Sequence, residues 1–106
     1  MGKKTNGEIE SFVRRASRVI TIEKVILFGS RARGDALKES DWDIIVVSNT
    51  FEGMHFIKRM EMLYELWESD KAIDILPYTP EEFETKREEI GIVREAVKTG
   101  YEITLS

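Results

Sequence analysis

Three carboxylates in this chain stand where charge is poorly tolerated. Asp41 and Asp43 flank Trp42 at the mouth of the apolar run 43–47, "DIIVV", and Asp74 sits between Ile73 and Ile75 in "KAIDILP". Side chains alternate along a strand, so Asp41 and Asp43 point one way while Trp42 and Ile44 point the other. Adjacent carboxylates on one face repel and resist burial. A divalent cation removes that conflict. Hard cations such as Mg²⁺ or Mn²⁺ choose carboxylate oxygens and keep positions open for water and phosphate. If the Asp74 strand lies beside the Asp43 strand, the three carboxylates can hold two metals ~3.5–4 Å apart, the arrangement used in phosphoryl transfer. Asp-x-Asp by itself is more often strand-entry or turn chemistry, and a lone Asp74 is more often a charge on a half-exposed strand. Their conjunction favours a site.

A second group of residues has a matching chemistry. Gly29-Ser30 follows the apolar run "KVILF" and precedes a short helical turn. Glycine lets backbone approach a ligand, and the N–H groups after it, with the Ser30 hydroxyl, suit a phosphate. Arg31 and Arg33 add positive charge for a triphosphate. No Gly-Lys-Ser/Thr follows, so this is not a P-loop. His55 is the sole histidine, reads as a surface residue, and leaves Ser30 an unlikely acyl nucleophile.

These residues need elements to position them. Ile9, Phe12, Val13, Ala16, Val19 and Ile20 make one apolar face of a helix over 8–20. Strands are expected at 24–28, 43–47 and 71–77, the last ended by Pro77. The middle one is apolar on both faces and hence central. A helix over 54–68 has the stripe Phe56, Ile57, Met60, Leu63, Tyr64 and Trp67, with Met62 and Leu66 well round from it. Those two either pack under the C-terminal helix or form a partner surface. Thr79, Pro80 and Glu82 open another helix with a capping box. Gly91 interrupts it before the apolar face Ile92, Val93, Ala96 and Val97. The tail "YEITL" suits a short edge strand. The expectation is one α/β (α+β) domain over 1–106, with residues 1–7 flexible and a small mixed sheet covered by helices. The dozen-residue link between the first two strands permits either an antiparallel return or a parallel crossover.

Composition limits the partners. The chain has 106 residues, 42% hydrophobic and 34% charged, with a net charge of −4. That balance argues against a general nucleic-acid binder, which would show a basic footprint. There is no cysteine, which excludes thiol nucleophiles and thiolate metal sites. No apolar run approaches the ~18–20 residues of a membrane span, and no signal-peptide pattern opens the chain. A cytoplasmic location is expected, and homo-oligomerisation stays open.

The motif "GSRARGDALKESDWDIIV" resembles the signature of the polymerase-β-like nucleotidyltransferase superfamily, and more closely the minimal nucleotidyltransferases of bacteria and archaea. The matching positions are Gly29-Ser30, Ala32-Arg33-Gly34 and Ser40-Asp41-Trp42-Asp43-Ile44, with Asp74 as the third carboxylate. The resemblance extends over about residues 8–103. It implies transfer of a nucleoside monophosphate, AMP from ATP being favoured, to a hydroxyl, with release of pyrophosphate. Asp41, Asp43 and Asp74 would bind Mg²⁺ or Mn²⁺, Asp74 also helping to deprotonate the acceptor. Gly29 and Ser30 would hold terminal phosphates, and Arg33, with Arg31, would neutralise charge. The minimal members resemble antitoxins whose partner is a helical HEPN-type toxin, which makes a partner protein the expected acceptor. Two alternatives stand beside this reading: a non-catalytic nucleotide- or partner-binding module, and an Asp-x-Asp glycosyltransferase. The chain is short for the latter, and the Gly-Ser element has no role in it.

Overall fold

The computed structural model describes residues 7–34 and 41–104. Residues 1–6, expected to be flexible, and Ser40 of the signature motif lie outside the described residues. In chain order the elements are α1 (Gly7–Ser17), β1 (Lys24–Phe28), α2 (Ser30–Arg33), β2 (Trp42–Val47), a 3₁₀ turn (Asn49–Phe51), α3 (Phe56–Tyr64), β3 (Ile73–Tyr78), α4 (Pro80–Glu88), α5 (Ile92–Thr99) and β4 (Tyr101–Glu102). They form the expected mixed α/β fold. The sheet order is β3-β2-β1-β4. β1 runs antiparallel to β2 and to β4, whereas β2 and β3 are parallel. The dozen-residue link therefore returns antiparallel, and the crossover falls instead between β2 and β3, through α3.

Strand alternation gives the sheet two apolar faces. Val25, Leu27, Trp42, Ile44, Val46, Ile73 and Ile75 pack against Ile9, Phe12, Val13 and Ala16 of α1 and Leu63 of α3. Ile26, Phe28, Ile45 and Val47 pack against Phe83 of α4 and Val93 and Ala96 of α5. β2, covered on both faces, is the central strand that its composition predicted. Pro77 does not end β3 but sits inside it. β3 is an edge strand, where a missing N–H is tolerated.

Three helical expectations are corrected. The first helix ends at Ser17, so Val19 is 54% exposed while Ile20 still reaches the core. In α5, Ile92 turns out to solvent and Val93 and Ala96 turn in. In α3 the inward face is Arg59 and Leu63, whereas Phe56 and Ile57 are exposed. Met62 and Leu66 pack against the α1 side of the sheet, not under the C-terminal helix. The rotation has a clear cause. The Arg59 side chain is buried but well paired: it donates to Met54 O at 3.0 Å, to Pro77 O at 3.2 Å, and to both Glu82 oxygens at 2.6 and 3.2 Å. A charge so satisfied can occupy a face that an apolar count would refuse it.

Glu82 has two tasks. Its Oε1 accepts from Thr79 N while Thr79 Oγ1 accepts from Glu82 N, completing the expected capping box of α4. The hydrogen bond from Arg59 holds its carboxyl below the ordinary value of 4.5. A carboxylate lowered in the folded state stabilises the fold above its unfolded pKa, and that contribution fades as pH falls through the folded value. Wild-type melting temperature should therefore drop more steeply than that of Glu82→Gln as pH falls below about 4.5. Arg59→Ala should cost roughly 2–3 kcal/mol at neutral pH, since it leaves the buried Pro77 carbonyl, the part-buried Met54 carbonyl and the Glu82 carboxylate without their donor. Denaturation across pH checks both; parallel pH profiles for wild type and Glu82→Gln would refute the assignment.

Candidate active site

The parallel register of β2 and β3 places Asp43 opposite Asp74. On the other side of β2, Asp43 pairs with Phe28, the last residue of β1. The chain then turns at Gly29, with φ 78° and ψ −161°, a conformation side chains rarely adopt. A Cβ on Gly29 would run into the Asp43 carboxylate. Glycine is thus required twice, for its backbone angles and for the close approach of the turn to Asp43. Asp41 lies just before β2 and is exposed, as is Asp74. Asp43 is partly buried between them.

Burial pushes Asp43 up to about 6, followed by the Asp74 charge, a hydrogen bond with Asp74 and the Asp41 charge, while Arg33 acts weakly in the other direction. Burial and the neighbouring carboxylates thus disfavour the charged form of Asp43. A hard cation would offset that repulsion. The donor set, oxygen only and partly exposed, fits such an ion with further positions left to water or phosphate. No group of three His, Cys, Asp or Glu side chains converges into a ready-made cage among the described residues.

Helix α2 separates the two arginines. Arg33 bears electrostatically on Asp43. Arg31 lies over the ring of Trp42, its guanidinium carbon 4.0 Å from the centroid. Trp42 itself points away from the carboxylates into the α1-side core, as alternation predicts. Ser30 opens α2 beside Gly29. The Asp41, Asp43, Asp74, Gly29, Ser30 and Arg33 positions thus gather at one end of the sheet, while Arg31 is turned toward the opposite face. His55 stands outside this group: it is exposed and caps α3, its Nδ1 accepting from Ile57 N at 3.4 Å. One supporting contact had no sequence signal. The Tyr64 hydroxyl accepts from Ile75 N at 3.2 Å, holding the edge strand next to Asp74.

Residues 7–99 match the nucleotidyltransferase domain family, and the chain belongs to it. Among solved structures, it is similar to a candidate nucleotidyltransferase from Sulfolobus solfataricus, at 26% identity over 96% of this chain and 90% of that one, with a TM-score of 0.55. BolA1 of Arabidopsis thaliana, at 20% identity over 74% of this chain and 98% of that one, has a TM-score of 0.58. The BolA domain of SufE1 from the same plant, at 18% over 74% and 99%, has a TM-score of 0.57. The two BolA likenesses concern the fold alone. No curated protein matches the chain. No helix among the described residues is long and apolar enough to cross a membrane.

The crowding at Asp43 has a stability consequence. A carboxyl raised in the folded state costs nothing below pH 3.8, where both states are protonated; the cost grows as pH rises toward about 6 and is complete above it. Asp43→Asn should therefore stabilise the cation-free protein by about 1–2 kcal/mol above pH 6, after allowance for solvent screening, and by little near pH 4. Urea denaturation in EDTA at both pH values measures this. A less stable Asp43→Asn at pH 7 would contradict the crowding.

Proposed function

We propose that this nucleotidyltransferase-domain protein moves a nucleoside monophosphate, AMP from ATP in the first instance, to a hydroxyl of a partner protein. The observation that carries the reading is the Asp43–Asp74 register pair with the Gly29 turn pressed against Asp43. It sets two carboxylates together beside a backbone turn, which supports an acceptor-side role for one and a phosphate-side role for the other.

In this reading Asp41, Asp43 and Asp74 hold Mg²⁺ or Mn²⁺. The bound ion would screen the triphosphate and stabilise charge developing on the transferred group. Gly29 and Ser30 receive the terminal phosphates, and Arg33 offsets their charge. The acceptor oxygen forms a bond to the α-phosphorus. The bond from that phosphorus to the oxygen bridging to the β-phosphate breaks, and pyrophosphate leaves. The acceptor proton passes to Asp74, the exposed member of the pair. Positioning and electrostatics supply most of such catalysis. The partner is proposed to be a HEPN-type toxin and this chain its cytoplasmic antitoxin, an assignment supported by the resemblance of the motif. A non-catalytic binding module of the same fold is the competing reading, and Asp74 separates the two.

Two measurements test the proposal. ATP should bind weakly in EDTA and at least roughly tenfold more tightly with Mg²⁺, because Asp41, Asp43 and the triphosphate repel one another. Equal affinities by calorimetry would remove the cation from the reading. Asp74→Ala should spare most MgATP binding yet reduce transfer by roughly two orders of magnitude or more, since its contribution is made in the transition state. Labelling of a purified HEPN-type partner with ATP tagged at the α-phosphate reads the transfer. Equal labelling by wild type and Asp74→Ala would displace Asp74, and no labelling by wild type favours the binding module.

A further inference from the structure

Trp42 is an odd choice for its position. It is 3% exposed, and its indole Nε1 is buried with no hydrogen-bond partner among the described residues. A buried unpaired N–H is unfavourable, and a leucine or phenylalanine would fill apolar space without it. What tryptophan offers over either is the strongest aromatic face for a cation. A cation is there: the Arg31 guanidinium, 4.0 Å from the ring centroid. Ala32, 2% exposed, enters the same core cluster as Trp42. Helix α2, which packs on β1, is thus joined to β2 by the Arg31–Trp42 stack and to the shared core by Ala32.

The two partners sit next to the site residues on both segments. Trp42 is flanked by Asp41 and Asp43; Arg31 is flanked by Ser30 and, two residues on, by Arg33. Residues two apart on a helix point roughly 200° away from each other. Turning Arg31 onto Trp42 thus turns Arg33 toward the carboxylate side, and Arg33 does act on Asp43. Gly29, whose carbonyl accepts from Ala32 N and Arg33 N of the same helix, stands where no Cβ would fit against Asp43.

We infer that the Arg31–Trp42 stack is a positioning clasp, which fixes α2 on the strand carrying Asp41 and Asp43 so that Gly29 and Arg33 face the nucleotide site, and that Arg31 is not itself a nucleotide ligand. As far as it concerns nucleotide, the inference rests on the function proposed above. The clasp itself does not.

A double-mutant cycle of Arg31→Ala and Trp42→Leu tests it, with Trp42→Phe as a milder variant that keeps a ring in the core should the leucine fail to fold. Amide hydrogen exchange at residues 29–34 should accelerate in each single variant, while exchange in β3 is unchanged. MgATP affinity by calorimetry, well below the melting temperature, should fall roughly three- to tenfold in each, and no further in the double variant. Adding Arg33→Ala should cost less affinity in the Arg31→Ala background than in wild type, because Arg33 is already misdirected. A purely structural contact would leave that last coupling at zero. Additive losses, with Arg31→Ala as harmful in the Trp42→Leu background as in wild type, would make Arg31 a direct ligand and overturn the clasp. If wild type binds no nucleotide, the proposed function fails separately, and exchange at 29–34 decides: unchanged rates in Arg31→Ala and Trp42→Phe would overturn the clasp, and coupled acceleration would uphold it.

Discussion

The carboxylate end of the molecule depends on the register between β2 and β3. A parallel pair cannot be closed by a tight turn, so the chain leaves Val47, crosses through α3 and returns at Ile73. A slip of one residue would reverse the faces of β3, bringing Asp74 into the α1-side core and turning Ile73 and Ile75 out of it. The register is held from the crossover helix at two heights. Arg59 binds the Pro77 carbonyl near the far end of β3, and the Tyr64 hydroxyl takes the Ile75 N–H near the start. Both are contacts made to an edge strand, which otherwise has pairing on one side only. Arg59 also engages Glu82, so the start of α4 is set by the same guanidinium.

Much of this was legible in the sequence, for identifiable reasons. β2 reads as central because Ile44 to Val47 are apolar on both faces, and both faces are covered. The Thr79–Glu82 capping box reads correctly because it is local. The carboxylates read as a group because charge inside apolar strands is conspicuous. What failed to read depended on partners distant in sequence. Arg59 looks like a solvent-facing residue until Glu82, twenty-three positions on, is brought beside it, and the α3 stripe was misplaced for that reason. Pro77 looks like a terminator until β3 is known to be at the edge. Arg31 and Arg33 look alike as charges. Only the position of Trp42 beneath α2 assigns them to opposite sides.

The likenesses to the two BolA structures concern the fold alone. A four-stranded mixed sheet with helices on both faces follows from layer packing, and a fold does not by itself imply a function. The features of this chain that could do chemistry stand at one end of the sheet: carboxylates on neighbouring strands, and a glycine turn close enough to exclude a Cβ.

That end is also where the fold accepts unfavourable terms. Asp43 is raised by burial and by two neighbouring carboxyls, Gly29 adopts a backbone conformation most residues avoid, and Trp42 keeps a buried indole N–H without a partner among the described residues. None of these helps the fold by itself, and all three lie within the motif 29–43. Local choices in a stable domain ordinarily agree with one another. Here the disagreements cluster around a group of carboxylates and a nearby arginine: the Gly29 turn lies against Asp43, and the Arg31 guanidinium lies over the Trp42 ring. The elements around them, with two apolar faces and a doubly held edge strand, are regular enough to carry that concentration of strain.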